Sequence, residues 1–175
     1  RRLIDYSIAT YWPQAADAPD PVLAFFACVA DATARLAAEW FAAGFVHGVL
    51  NTDNMTITGE SFDYGPWRFL PVLEPGFTAA YFDENGLYAF ARQPDALAWN
   101  LARLAECLLP FTAHDGLVAE LERFSEAFDA ALEVQTLARL GLVSADASLV
   151  TAFYGALRTT RLPYERAFFD LVGGG

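Results

Sequence analysis

One apolar run, between Asp20-Pro21 and Gly44, constrains the fold more than any other part of the sequence. Asp is a favoured helix N-cap, Pro is tolerated in the first helical turn, and Gly commonly follows the last turn. Between these signals, side chains suited to a buried face recur at helical spacing: Phe25, Val29, Thr33, Leu36, Trp40 and Phe41. The sequence therefore predicts one long, mostly buried helix that leads directly into residues 47–66.

Helical patterns also dominate the rest of the chain. Residues 3–12 fit either a short helix or a strand, and residues 65–93, rich in Gly, Pro and aromatic residues, are expected to be irregular. Four later segments have helical spacing: 97–108, 115–140, a run capped by Ser144, and 163–171. The predicted fold class is mainly α.

Composition excludes several classes of partner. Hydrophobic residues make up 55% of the chain, which favours a folded globule over a disordered segment. The formal net charge is −11 and every basic residue is Arg, whereas a nucleic-acid surface needs a basic stripe. Because the chain contains no Lys, it can neither bind phosphates through a lysine side chain nor form a lysine Schiff base. No apolar run is expected to reach membrane-spanning length, so neither a nucleic-acid nor a membrane partner is predicted.

The segment HGVLNTDNMTITGESFDYGP, residues 47–66, gathers polar groups in an otherwise apolar chain. Its alternation predicts a small β-hairpin turning at 59–61, which would bring Asn54 and Asp63 together. Oxygen ligands of this kind suit Mg²⁺, which takes further ligands from water and nucleotide phosphates. Asp53 would lie beside such a site as a candidate base. Alternatively, these residues only form turns and cap their own backbone.

The order of these residues resembles the catalytic segment of the protein-kinase-like superfamily. His47-Gly48-x-Leu50-x-x-x-Asn54, followed by Asp63-Tyr64-Gly65, is similar to a kinase catalytic loop and its metal-binding motif. It is closer still to the aminoglycoside-kinase variant, but Val49 stands where that variant has its catalytic Asp. Val cannot accept a proton, so ordinary phosphoryl transfer is disfavoured.

The chain resembles one family closely, the selenoprotein O (SelO) pseudokinases. The matching blocks are GFVHGVLNTDNMTI (44–57), DYGP (63–66), PGF (75–77), YAF (88–90), QPDALAWNLARLAECLLP (93–110) and PYERAFFDL (163–171). The resemblance implies a protein adenylyltransferase that moves AMP from ATP to Ser, Thr or Tyr hydroxyls of proteins. It also implies Asp53 as proton acceptor, and Asn54 and Asp63 as ligands of Mg²⁺ or Mn²⁺.

The resemblance covers only the family's helical, kinase-like C-terminal lobe. Residues 1–175 are therefore expected to be a single fragment of a longer protein, without the N-terminal nucleotide-binding lobe and inactive alone; the start at Arg1 rather than Met agrees. A cytoplasmic location is expected for bacterial members and a mitochondrial one for eukaryotic relatives. Thr78, Ala79 and Ala80 follow the PGF block, so a redox latch at that point is not expected.

Other side chains receive structural interpretations. His47 is expected to brace the loop backbone rather than act as a base, and Trp99 and Asn100 to hold their helix against that loop. Cys28 and Cys107 are expected to be buried thiols. Two other functions stay open: a small-molecule phosphotransferase similar to aminoglycoside kinases, and a non-catalytic, acidic helical interaction module.

Overall fold

The computed structural model describes residues 1–144 and 146–172. The described chain is mainly α-helical, as predicted. Its helices are α1 (Arg2–Tyr11), α2 (Pro21–Ala43), α3 (Gln93–Leu108), α4 (His114–Arg139), α5 (Ala147–Thr160) and α6 (Tyr164–Leu171). Two short strands, β1 (Phe45–Val46) and β2 (Arg68–Phe69), pair antiparallel, with Phe45 opposite Phe69.

Helix α2 begins and ends where its sequence signals predict. The Asp20 carboxylate accepts hydrogen bonds from the backbone N–H groups of Val22 and Leu23, at 3.1 and 3.0 Å. Gly44 ends the helix in the left-handed region, with φ of 68°, and a Cβ there would lie 2.7 Å from the ring of Tyr164. Both the backbone conformation and the packing therefore require glycine at this position.

The expectation that no apolar run reaches membrane-spanning length is wrong for α2. By length and composition alone this helix could cross a membrane. Within the described residues, however, 56% of its most apolar stretch is buried, and it packs against α3 and α4. Burial of this kind is also what the central helix of a folded core shows.

The buried core has two parts. The first lies between α2, α3 and α4 and includes Phe26, Leu97, Leu117 and Phe124. The second joins α5 and α6 to the irregular middle segment: Val46, Leu70, Phe90, Leu157, Tyr164 and Phe168. Because β1 and the residues just after it contact both parts, the loop that follows β1 is held from two sides.

The predicted hairpin is a turn rather than a pair of strands. One antiparallel bridge joins Met55 and Ser61, and the N–H of Thr56 donates to the carbonyl of Glu60 at 2.9 Å. The Thr56 hydroxyl also accepts from the N–H of Glu60 at 3.1 Å. Local side-chain bonds of this kind compete with a strand ladder, and for that reason no regular strands form here.

The structure decides one open expectation and corrects another. Residues 3–12, for which helix and strand were both open, lie almost entirely in helix α1. The N-cap of α5 is Asp146, whose carboxylate accepts from the N–H of Leu149 at 2.9 Å, and not Ser144. Asp is as good an N-cap as Ser, and the later of the two candidates, directly before Ala147, fixes the helix start here.

Candidate active site

Asn54 joins the two sides of the turn between residues 51 and 63. It ends a single 3₁₀ turn, Thr52–Asn54, and is 6% exposed. Its carboxamide oxygen accepts from the N–H of Asn51 at 3.1 Å, and its amide donates to the backbone carbonyl of Asp63, also at 3.1 Å. The turn thus brings Asn54 and Asp63 together, as the sequence predicts.

Asp63 lies on a segment pressed closely against the loop after β1. Its exposed carboxylate accepts from the N–H of Gly65 at 3.3 Å. The N–H of Gly48 donates to the carbonyl of Tyr64 at 2.9 Å. A Cβ on Gly48 would lie 2.5 Å from the carbonyl oxygen of Pro66. Only glycine at position 48 permits this approach, which fixes where Asp63 stands.

His47 is fully buried and braces the loop through both ring nitrogens. Nδ1 accepts from the N–H of Val49 at 3.1 Å, which leaves the proton of the neutral ring on Nε2. Nε2 lies 3.0 Å from the Ser61 hydroxyl, which donates in turn to the carbonyl of Asn54 at 2.8 Å. Burial lowers the pKa of His47 to about 4, against a smaller opposing effect of Asp63. A neutral His47 therefore holds the loop backbone, as predicted.

Helix α3 is hydrogen-bonded to the same loop through two carboxamide side chains. The oxygen of buried Gln93 accepts from the N–H of His47 at 2.8 Å, and its amide donates to the carbonyl of Phe45 at 3.0 Å. Asn100 donates to the carbonyl of Leu50 at 3.2 Å, as predicted. Trp99 was expected to help, but it is 56% exposed and faces outward. Sequence reasoning missed the role of Gln93, although it opens the block QPDALAWNLARLAECLLP.

Asp53 stands exposed on the 3₁₀ turn, directly before Asn54. The pKa of Tyr88 is raised mainly by burial, then by the negative charges of Asp83 and Asp53. The phenol itself donates to the side-chain oxygen of Asn51. Val49 is half-buried, and its Cγ2 lies 3.0 Å from where a Cβ of Gly65 would be. Of the two loop positions, only Asp53 offers a carboxylate to a substrate.

Asn54 and Asp63 are the residues of this turn that could hold a hard divalent cation. Among the described residues, no group of three His, Cys, Asp or Glu side chains could hold a metal ion. Asp63 offers a solvent-facing carboxylate, and the Asn54 oxygen keeps a second lone pair beyond its bond to Asn51. Two oxygen ligands, with water and phosphates completing the shell, is the usual Mg²⁺ arrangement.

The cysteines differ from expectation. Both are free thiols, but Cys107 is exposed on α3 and Cys28 is only partly buried. Cys107 lies three positions after Leu104 of the apolar face of α3, yet it is exposed.

Comparison with known proteins identifies the family. The family model described as protein adenylyltransferase SelO matches residues 1–173. Similar curated proteins are named protein nucleotidyltransferase YdiU. One, from Cereibacter sphaeroides strain ATCC 17023, is 44% identical over 181 residues, covering 98% of this chain and 38% of that protein. The protein of that name from Mycolicibacterium smegmatis is 43% identical over 182 residues, with the same coverage. The chain thus spans 38% of the length of these relatives.

Proposed function

Since this chain belongs to the protein adenylyltransferase SelO family, we propose that it is the catalytic, kinase-like C-terminal lobe of an enzyme that moves AMP from ATP to protein hydroxyls. The acceptors are Ser, Thr or Tyr side chains. The observation that carries this proposal is the contact between the Asn54 amide and the Asp63 carbonyl at 3.1 Å, with exposed Asp53 next in the chain. It supports the proposal that Asp53 acts as the base and that Asn54 and Asp63 act as the metal ligands.

The residues of the chain have distinct roles in the proposed reaction. Asp53 accepts the proton of the acceptor hydroxyl. The oxygen of that hydroxyl bonds to the α-phosphorus of ATP as the α–β phosphoanhydride bond breaks. Diphosphate leaves. Asn54 and Asp63 would hold Mg²⁺ or Mn²⁺, which would supply positive charge to stabilise the phosphates. His47 and Gln93 fix the loop so that these side chains need little rearrangement.

We propose that the residues that bind the ATP phosphates lie outside this chain. Without Lys, the chain lacks the point charge that kinase-like enzymes place on phosphates. The relatives extend well beyond the matched region, which leaves room for an N-terminal lobe that binds ATP. This chain alone is therefore expected to be inactive.

Labelled ATP tests the reaction in the full-length parent protein. Incubation with a mixture of unfolded and folded protein acceptors should transfer label from the α-phosphate and none from the γ-phosphate. Intact-mass analysis of the modified acceptor should show the mass of AMP rather than that of phosphate. Transfer of γ-label would instead favour a phosphotransferase and would contradict the proposal.

A further inference from the structure

A cavity of about 490 Å³ opens beside the candidate catalytic turn. Thr52 and Met55, which flank Asp53 and Asn54 in the sequence, form one wall, and Leu104 and Cys107 of α3 form another. The walls are mostly apolar. The cavity therefore lies beside the turn that carries Asp53, and it continues along α3.

Asn100 gives this apolar cavity a specific polar feature. It also lines the cavity, it is 8% exposed, and its amide is used by the carbonyl of Leu50. Its carboxamide oxygen is the one buried side-chain polar atom without a hydrogen-bond partner in the described part of the chain. A buried acceptor left unpaired is unfavourable, so a ligand that brings an N–H donor to this oxygen would be favoured.

Trp99 forms the exposed rim of the cavity. It lines both this cavity and a second one of about 370 Å³, whose wall includes Asn51 and Tyr88. The guanidinium of Arg103 lies 5.1 Å from the Trp99 ring centroid. Exposed Trp and Arg are the residue types that most often carry binding energy at protein interfaces. Two cavities that both reach the candidate catalytic loop thus meet at one aromatic side chain.

The wall chemistry favours a polypeptide over a nucleotide. A nucleotide phosphate needs free positive charge or several N–H donors. Arg103 already pairs with Glu106 at 2.8 Å. A peptide, by contrast, offers both an apolar side chain for the walls and a backbone N–H for the Asn100 oxygen.

We propose that this groove binds the polypeptide of the acceptor protein, with a large apolar side chain in the 490 Å³ cavity and a backbone N–H on the Asn100 oxygen. The inference rests on the proposed function and deepens it. The enzyme selects hydroxyl residues that have a large apolar residue a few positions away.

A peptide library tests this selection in the full-length parent. Each short peptide carries a single Ser acceptor and one varied neighbour, and transfer of α-labelled AMP is measured. Leu, Met or Phe at one flanking position should raise kcat/KM about 10-fold over Ala or Asp at that position. Cys107→Trp, which fills the cavity, should abolish the preference by raising KM. Cys107→Ala should keep it, and so should Leu109→Trp, which places the same indole just after α3 and outside the cavity. Mg-ATP affinity should be the same in all of these proteins.

Thiol alkylation gives a second readout that does not depend on activity. Iodoacetamide should modify exposed Cys107 in the parent, and a preferred peptide at ten times its Kd should slow that reaction about tenfold by occupancy. The rate at Cys28, which lies on α2 outside the cavity, should not change.

The outcomes separate this inference from the proposed function. Transfer of α-label without any apolar preference, or with a preference that Cys107→Trp leaves intact, would overturn the groove but not the enzyme. A Cys107 that does not react in the peptide-free parent would show that another segment fills the cavity, and would also overturn the groove. No α-label transfer to any acceptor would overturn both.

Discussion

Replacing Gly48 by Ala tests how Asp63 is held against the loop after β1. A Cβ at position 48 would lie 2.5 Å from the carbonyl oxygen of Pro66 and 2.7 Å from its Cδ. The closest of these atoms is backbone, so no side-chain rotation relieves the clash. The segment that carries Asp63 must then move away from the loop.

The cost follows from the two interactions that are disturbed. Forcing extra volume into a packed site costs about 1–3 kcal/mol. Separation of the segments also weakens the bond from the Gly48 N–H to the Tyr64 carbonyl, which contributes about 1 kcal/mol. We expect the free energy of unfolding to fall by about 2–4 kcal/mol in total. For a chain of this size that corresponds to a fall in Tm of about 4–16 °C.

Urea unfolding and thermal melts of the purified chain, followed by circular dichroism, measure this loss. Gly155→Ala is the matched control, because nothing lies within 4 Å of a Cβ there and the residue is inside α5. Ala in a helix interior should stabilise by about 0.5–1 kcal/mol. In the full-length parent, Gly48→Ala should also lose AMP transfer. A Gly48→Ala chain as stable as the wild type, with transfer intact, would refute the proposed packing.

Three further predictions concern the same site. In the full-length parent, Asp53→Ala and Asp63→Ala should each remove most AMP transfer without unfolding the protein. Val49→Asp should lower stability and yield no γ-phosphoryl transfer. Transfer of label from γ-labelled ATP by the Val49→Asp protein would contradict the roles assigned here. Folding lowers the pKa of His47 to about 4. Between that pH and the ordinary His pKa of about 6.5, the unfolded chain therefore binds more protons than the folded chain does. The free energy of unfolding should thus be highest above pH 6.5 and fall on acidification towards pH 4, by at most about 3 kcal/mol; His47→Gln should flatten this pH dependence, and an unchanged slope would mean that another group causes it. Finally, calorimetry should show no micromolar Mg-ATP binding by these 175 residues alone; micromolar binding would place the residues that bind the ATP phosphates within this chain.

The features that sequence predicted correctly depend on neighbours along the chain. Asp20 and Gly44 mark the ends of α2 because capping needs only residues a few positions away. Asn54 and Asp63 meet because the turn between them is short.

The features that sequence missed depend on distant partners. Gln93 acquires its role only when α3 packs against the loop that follows β1, where its partner His47 lies 46 positions earlier in the chain. The pairing of β1 with β2 likewise spans the whole turn, and nothing local in Phe45–Val46 distinguishes it from loop. Exposure of Cys107 and Trp99 was also beyond prediction, since it depends on which elements do not cover α3.

The contact of Tyr164 with the end of α2 has a consequence for how the chain folds. Its hydroxyl donates to the carbonyl of Phe41 at 2.6 Å, 123 positions earlier, and its ring occupies the space above Gly44. Contacts between such distant positions close large loops and form slowly. During synthesis on the ribosome, α2 can therefore become helical early, while the entrance to the catalytic loop lacks its final support until α6 has emerged. A nascent chain arrested before Tyr164 should present that loop to proteases, and one arrested after α6 should protect it.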